Sequence, residues 1–467
     1  MKFTAGAKER DFILQDLPGL VDHPAAMGKY LKIQPPKRGS KITVAKNGQL
    51  QVPDDPIVPF VQGEGLPSEI WNPVKEVLDL AVERCYANAK RLEWLEVFAG
   101  ERANEVYGPN NWLPEDTIRA VQEYKVCIKG PLATPVGSPR PLDEELRERL
   151  DLFAHVQPIR YLDGVPSPLR APEGTNILVF REHTEDVFCE IEWKKGSPEA
   201  KQLIGFLNEG LAKKLNKSIR PDSSVGIKPI SATATKRLIR LAIDYAIKHK
   251  RQSVTFVHKG SVMRHTEGFF KDWGYELAKK EFGEYTVTEE EIAEELKGEA
   301  PRGKIIIRDR LADEVLQQLI LNPTDLDIIA TTNLNGHFLE QLALAAFGKI
   351  GLAPEAYIGA KAAVFEAALG GLPSVPAEQQ NPTSVLLCGV MLFDHLGWKD
   401  GGELVTHALV KTISDGIITR DLAIQSEGAP ESVTAGEFCE AIIENFEEVR
   451  KSRVRQAMKR AASGARW

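Results

Sequence analysis

Cysteine is scarce and unpatterned. Cys85, Cys127, Cys189, Cys388 and Cys439 are the only five in 467 residues, widely spaced and without a C-x-x-C pair. An odd, scattered set argues against a disulfide framework or a thiolate zinc site and makes a reducing cytoplasm the expected location. No apolar run approaches the roughly 20 residues that a membrane span needs. The opening stretch "MKFTAGAKERDFILQD" has no apolar core of the signal-peptide kind. Charge of one sign is also missing: 27% of residues are charged and the net charge is −7. Composition therefore gives no reason to expect nucleic acid or a membrane as partner. Internal repeats and low-complexity segments are absent as well.

A chain of this length exceeds one ordinary core and implies two or three folding units. Short β-branched runs alternate with amphipathic helical patterns, the mark of α/β architecture. "DPIVPFVQGEG" reads as a strand ending in a Gly-rich turn, followed by the helix "PSEIWNPVKEVLDLAVERCYANA". "LEWLEVFAG", "YKVCIKGPLATP", "TNILVFRE" and "SVTFVHKG" read as further strands. In "GIKPISATATKRLIRLAIDYAIKHK" a strand leads into a helix that Ser231 or Thr233 can cap, with Leu238, Leu241, Ala242 and Tyr245 as its buried stripe. "DLDIIATTNLNGHFLEQLALA" predicts a strand, a Gly-punctuated turn over "NLNG", and a helix. Residues 1–50, rich in Lys, Pro and Gly, read as an extended arm. The tail 446–467 carries seven basic residues from Arg450 onward, and is expected either to lie solvated or to meet an acidic protein partner.

"VYGPNNWLPEDT", "IKGPLATPVG", "GVPSPLRAPE", "VHKGSVMRHTEGFFKDWGYELA" and "TTNLNG" stand in an order and spacing that resemble the bacterial NADP-dependent isocitrate dehydrogenases. These are metal-dependent β-decarboxylating dehydrogenases, and the likeness runs from about residue 35 to residue 445. It implies a homodimer with an α/β isocitrate/isopropylmalate dehydrogenase-like fold that is not a Rossmann fold. The expected parts are a large domain from 51–152 and 348–445, a small domain from 153–185 and 232–347, and a clasp from 186–231 that interlocks two subunits. Gly63 and Gly65 after the first strand form only a weak dinucleotide signal, and this family does not use the Rossmann fingerprint.

The chemistry implied needs cations for substrate carboxylates, a hard divalent cation, a proton acceptor and donor, and a dinucleotide. By resemblance, the substrate arginines match Arg147 and Arg181, while a third position is Gln157. Pro141 and Asp143 stand where the family has Ser and Asn. The catalytic lysine matches Lys259, with Ser261 at the Asn position beyond it; the catalytic tyrosine position holds Phe188. One metal-binding acid matches Asp313, and the two expected after "NLNG" are His337 and Gln341. His337 with Asp313 offers an alternative donor set suited to zinc, iron or manganese rather than magnesium. For the cofactor, Thr134 and Asn381 are retained, whereas Leu369, Ser374, Val375 and Arg420 replace the residues expected around NADP.

With several site positions changed together, the expectation from sequence is a family member that has lost NADP- and Mg-dependent decarboxylation of isocitrate. It would keep a cationic cleft, lined by Arg147, Arg181 and Lys259, for a carboxylate metabolite, or act as a binding or regulatory protein. The alternative is an active oxidoreductase of the family that uses isocitrate or another 2-hydroxy acid with NAD or NADP.

Overall fold

The computed structural model describes residues 30–45, 48–63, 65–135, 140–347, 352–367, 376–426, 428 and 430–464. The chain divides into two compact units, Met1–Asn176 with Ala343–Trp467, and Ile177–Leu342. The strands that matter here are β1 (Ile57–Val61), β2 (Glu93–Val97), β3 (Val126–Lys129), β4 (Ala154–Arg160), β5 (Asn176–Glu182), β6 (Ser253–His258), β7 (Thr286–Thr288), β8 (Ile305–Leu311), β9 (Ile328–Thr331), β10 (Pro354–Ile358) and β11 (Ala363–Ala367). The helices are α1 (Ser68–Tyr86), α2 (Leu142–Arg149), α3 (Ala232–Lys248), α4 (Glu267–Phe282), α5 (Ala312–Leu321), α6 (Asn333–Phe347), α7 (Thr383–His395), α8 (Lys399–Ser414) and α9 (Ala435–Gly464).

In the first unit the strand order is β4-β10-β11-β3-β1-β2, and β10 runs antiparallel to both of its neighbours. In the second unit the order is β7-β8-β6-β9-β5, with every pair parallel. Strands covered on both faces have no polar side to show, so they read as continuous apolar runs rather than alternating ones. All residues of β3, β6, β9 and β11 are buried, down to Lys129, His258 and Glu366 at their ends. That is why β3, β6 and β9 are legible in the sequence, whereas β11 is not among the strands expected from it. Residues 153–176, expected with the smaller domain, fall in the first unit because β4 pairs with β10 there. The stretch 186–231 carries a strand pair of its own, Glu192–Trp193 against Val225–Gly226.

Four expectations change with the structure. Ser231 caps α3 as foreseen, its side chain accepting from Ala234 N, but residues 227–230 before it form no strand. The stripe buried by α3 is Ala234, Leu238, Ile239, Ala242, Ile243 and Ala246; Leu241 and Tyr245 sit at its margin. "NLNG" is not a turn but the first turn of α6, which starts directly after β9. The basic tail is not a separate element either: it continues α9, a helix of 30 residues and so about 45 Å long. No helix among the described residues is long and apolar enough to cross a membrane.

Candidate functional site

Open parallel α/β sheets place binding residues just beyond the carboxyl ends of their strands, because the loops there converge while helices cover the faces. The second unit follows this rule. Arg181, Thr331, Val257 and their neighbours lie in register at the ends of β5, β9 and β6, and His258 pairs with Leu311 at the end of β8. Lys259 therefore follows β6, Asp313 opens α5 after β8, and Asn333 and His337 open α6 after β9.

At this edge Lys259 Nζ lies 2.6 Å from Asp313 Oδ1, with the side chains 32% and 54% exposed. The hydrogen bond from Lys259 holds the Asp313 carboxyl below its usual range, so Asp313 is an ionised acceptor at neutral pH. Arg181 is buried and occupied on two sides. Its Nη1 donates to Asn333 Oδ1, and its Nε lies 2.8 Å from Glu340 Oε2. Gly336 makes room for this arrangement, since a Cβ there would sit 2.6 Å from Arg181 Cδ and 2.7 Å from Thr331 Cγ2. The glycine of "NLNG" thus serves close packing of Arg181 against α6. Glu340, one helical turn beyond Gly336, shares that face.

His337 and Gln341 fall on the neighbouring stripe of α6. The His337 ring is half-buried and meets Phe188 edge to face at 5.8 Å; Gln341 is exposed. Behind these residues a fully buried acidic pair, Asp186 and Glu267, is joined by Lys228 Nζ at 2.6 and 2.8 Å. Asp186 also accepts from Leu334 N, and Glu267 from Asn335, Thr332 and Lys259 N. The start of α6 and the lysine loop are pinned to residues of the 186–231 segment by these bonds.

The first unit holds a second ionic cluster. Lys129, at the end of β3, is fully buried, with Nζ 2.6 Å from Asp143 and 3.0 Å from Glu366. Arg147 on α2 meets Glu366 and Glu144, each at 2.8 Å, and lies over the Tyr357 ring with its guanidinium carbon 3.9 Å from the centroid. Burial opposes the charge on both cations. Glu366 and Asp143 outweigh it at Lys129, and chiefly Glu366 does so at Arg147, so both are held above their usual values. Burial likewise opposes ionisation of Glu366, which Arg147 and Lys129 overcome. His155 Nε2 lies 3.3 Å from Glu355.

Each of the three cations expected to line a cleft is already paired with an acid. Arg147 is paired with Glu366 and Glu144, Arg181 with Glu340, and Lys259 with Asp313, each within its own unit. The acids paired with the arginines were missed, although Glu340 left a signal: it is the only Asp, Glu, Lys or Arg in the fifteen residues of α6. Gly65 belongs to loop packing rather than to a nucleotide turn, since its N–H donates to Pro131 O and a Cβ would lie 2.5 Å from that oxygen.

A hard divalent cation needs several carboxylate oxygens. Here the expected positions offer Asp313, already bound to Lys259, the His337 imidazole and the neutral Gln341 amide. Among the described residues, no three His, Cys, Asp or Glu side chains come close enough to hold a metal. This donor set does not fit a magnesium cage. Of the cofactor residues, Thr134 is exposed, while Asn381 accepts from Thr383 N and donates to Asp421. Arg420 is exposed and bonded to Gln379. Leu369, Ser374 and Val375 lie outside the described residues.

Residues 57–442 match the family model described as isocitrate/isopropylmalate dehydrogenase. The chain belongs to that family. An Archaeoglobus fulgidus protein named isocitrate dehydrogenase [NADP] is 46% identical over 421 residues, spanning 90% of this chain and 99% of its own. A Coxiella burnetii protein of the same name is 45% identical over 428 residues, covering 89% and 97% of the two chains. Among solved structures, an isocitrate dehydrogenase from Methylococcus capsulatus superposes with a TM-score of 0.65 at 27% identity, covering 84% of this chain and 99% of the other. The fold is thus the isocitrate dehydrogenase fold.

These relatives also correct the expectation that the chain has lost the family's activity and only binds a carboxylate or a protein. Near-complete coverage at 40–46% identity to proteins named as NADP-dependent enzymes points to an active family member.

Proposed function

We propose that this chain is an oxidoreductase that oxidises a 2-hydroxy carboxylate with a nicotinamide dinucleotide, with isocitrate and NADP as the first pair to test. The observation that carries this reading is the 46% identity, over 421 residues and nearly the whole length of both chains, to a relative named isocitrate dehydrogenase [NADP]. The residues in hand suit the proton steps of such a reaction. Asp313, ionised beside Lys259, can accept the substrate hydroxyl proton, and the Lys259 ammonium can return one. Phe188 has no hydroxyl to contribute, and His337 at its ring edge supplies a titratable group in that place. Arg420, the exposed cation beside the Asn381 loop, is suited to a 2′-phosphate.

The functional unit in this reading is a homodimer. Val187, Phe188, Ile191, Phe206, Leu211 and Leu215 of the 186–231 segment are exposed apolar side chains, the pattern of a surface that a second copy would cover. The test is a matrix of isocitrate, malate and isopropylmalate, each with NAD or NADP, and each with Mg²⁺, Mn²⁺, Zn²⁺ or a chelator. Turnover of at least one pair at an ordinary rate of roughly 1–10³ per second is expected. Absence of nicotinamide reduction throughout the matrix would sink the reading.

A further inference from the structure

We infer that His258 is a positioning residue for the Lys259–Asp313 pair: its imidazole ties the backbone that carries Lys259 to the strand that leads to Asp313. The inference rests on the functional reading above, in which that pair moves the substrate proton. His258 ends β6 and immediately precedes Lys259. Its side chain is 6% exposed, and both ring nitrogens are engaged. Nδ1 accepts from Gly260 N at 2.9 Å, and Nε2 lies 3.0 Å from Asp309 Oδ2. A backbone N–H only donates, so Nδ1 is the unprotonated nitrogen and Nε2 carries the hydrogen that goes to Asp309. One ring thus bonds on one side to the turn after Lys259 and on the other to β8, shortly before Asp313.

The surroundings are built for this link. Phe256 of β6 stands in register with Asp309 of β8, and residues two apart on a strand share a face, so His258 and Asp309 meet diagonally. Tyr275 of α4 donates to the other Asp309 oxygen at 2.8 Å and fixes how that carboxylate is turned. On the turn, a Cβ at Gly260 would lie 2.8 Å from His258 Nδ1 and 2.9 Å from Gly268 Cα, so glycine is what lets this N–H reach the ring. The amide of Lys259 is held as well, by Glu267 Oε2 at 3.0 Å. Packing asks for none of this. A buried polar ring must be matched by partners, whereas a leucine in its place would need none. The Lys259–Asp313 contact is itself largely in water and too weak to fix its own geometry. The path from Asp309 through His258 to the lysine loop supplies that fixity.

The experiment is a double-variant cycle in steady-state kinetics, run with a substrate and dinucleotide pair that wild type turns over. H258L removes both bonds and should lower kcat by roughly 10–10²-fold, the effect of displacing a reacting group by about an ångström. Its KM should stay within about threefold of wild type, because the loss falls on the chemical step. H258N, whose Oδ1 can replace Nδ1 as acceptor for Gly260 N–H, should keep kcat within about fivefold of wild type. In a K259M background the H258L change should cost less than about threefold, since a residue that acts through Lys259 has nothing left to position. A general structural role would cost the same in both backgrounds. Wild-type kcat in a folded H258L would overturn the inference. So would an equal loss with and without Lys259, or an H258N as slow as H258L. Should H258L fail to fold, D309N, which keeps the shape of Asp309 and disturbs that end of the link, takes its place in the cycle with the same supporting and overturning results. An inactive wild type would instead count against the functional reading, and amide hydrogen exchange would still decide this one. Faster exchange in the same variant at the Lys259 N–H, which bonds to Glu267 and not to His258, supports it; unchanged exchange overturns it.

Discussion

Lys129 and Glu366 stand opposite each other in register on the parallel strands β3 and β11, their charged atoms 3.0 Å apart and both side chains out of water. Glu366 also accepts from Arg147 at 2.8 Å, so one carboxylate serves two buried cations. Losing one member of such a network leaves an uncompensated charge in a low-dielectric interior. E366Q should therefore cost about 3 kcal/mol or more of stability, while K129M, which deletes the fully buried cation, should also leave Asp143 and Glu366 repelling each other. Denaturant unfolding of the two variants is the measurement. A cost below about 1 kcal/mol for E366Q would show that water or side-chain movement relieves the charge.

Gly336 is the tightest constraint on the position of Arg181. A methyl group at 336 would lie 2.6 Å from Arg181 Cδ and 2.7 Å from Thr331 Cγ2, so either the helix start or the arginine must move. G336A should destabilise the chain by about 1–3 kcal/mol, the usual cost of overpacking. It should also raise the KM for the substrate more than helix propensity, which favours Ala over Gly, could account for. Wild-type kinetics together with wild-type stability in G336A would show that Arg181 is not confined as described.

Stability should fall in acid through Glu355. Burial pushes its carboxyl up, but the hydrogen bond and charge of His155, helped by Arg147, bring it down from an ordinary 4.5 to about 2. A carboxyl with a depressed folded value contributes stability that is fully present above about 4.5 and is lost as pH falls toward 2. The contribution is about 3 kcal/mol at neutral pH. H155N should remove much of it and move the acid-unfolding midpoint to higher pH. Acid melts of the two proteins that coincide would dismiss the His155–Glu355 pair as the cause.

Part of each sheet was legible because buried parallel strands carry β-branched and apolar residues, as "SVTFVH" and "DLDIIA" do, and Ser231 was legible as the cap of its helix; the strands over 154–160, 286–288, 305–311, 354–358 and 363–367 were not. Lys259 and Asp313 were named by resemblance alone; the sheet delivers both to one edge, just beyond the ends of β6 and β8. What sequence could not supply were contacts between segments far apart in the chain. Arg147 and Glu366 are 219 residues apart, and Arg181 and Asn333 are 152 apart. No local pattern announces that an arginine has found an acid. The glycine in "NLNG" misled for the same reason, since its role is to admit a side chain from another strand rather than to turn its own. A cationic cleft inferred from retained cations alone overlooked the anions the fold brings to them.

The Lys259–Asp313 pair separates catalysis from stability more cleanly than any other in the chain. Both side chains are substantially exposed, 32% and 54%, so their attraction is screened by water and contributes little to folding. Their placement beyond the ends of β6 and β8 is where a substrate would be reached. K259M and D313N should each unfold within about 1 kcal/mol of wild type and yet lose roughly 10²–10⁴ in kcat, the usual contribution of a positioned acid or base. The pH profile supplies the sign. Asp313 is held below its usual range by Lys259, so in K259M its carboxyl returns upward and the acidic limb of kcat/KM should shift to higher pH. H337Q gives the contrast: with His337 beside Phe188 and not in contact with the pair, its loss should leave the acidic limb in place. Wild-type rates in K259M and D313N would remove both residues from the proton path and leave His337 to carry it.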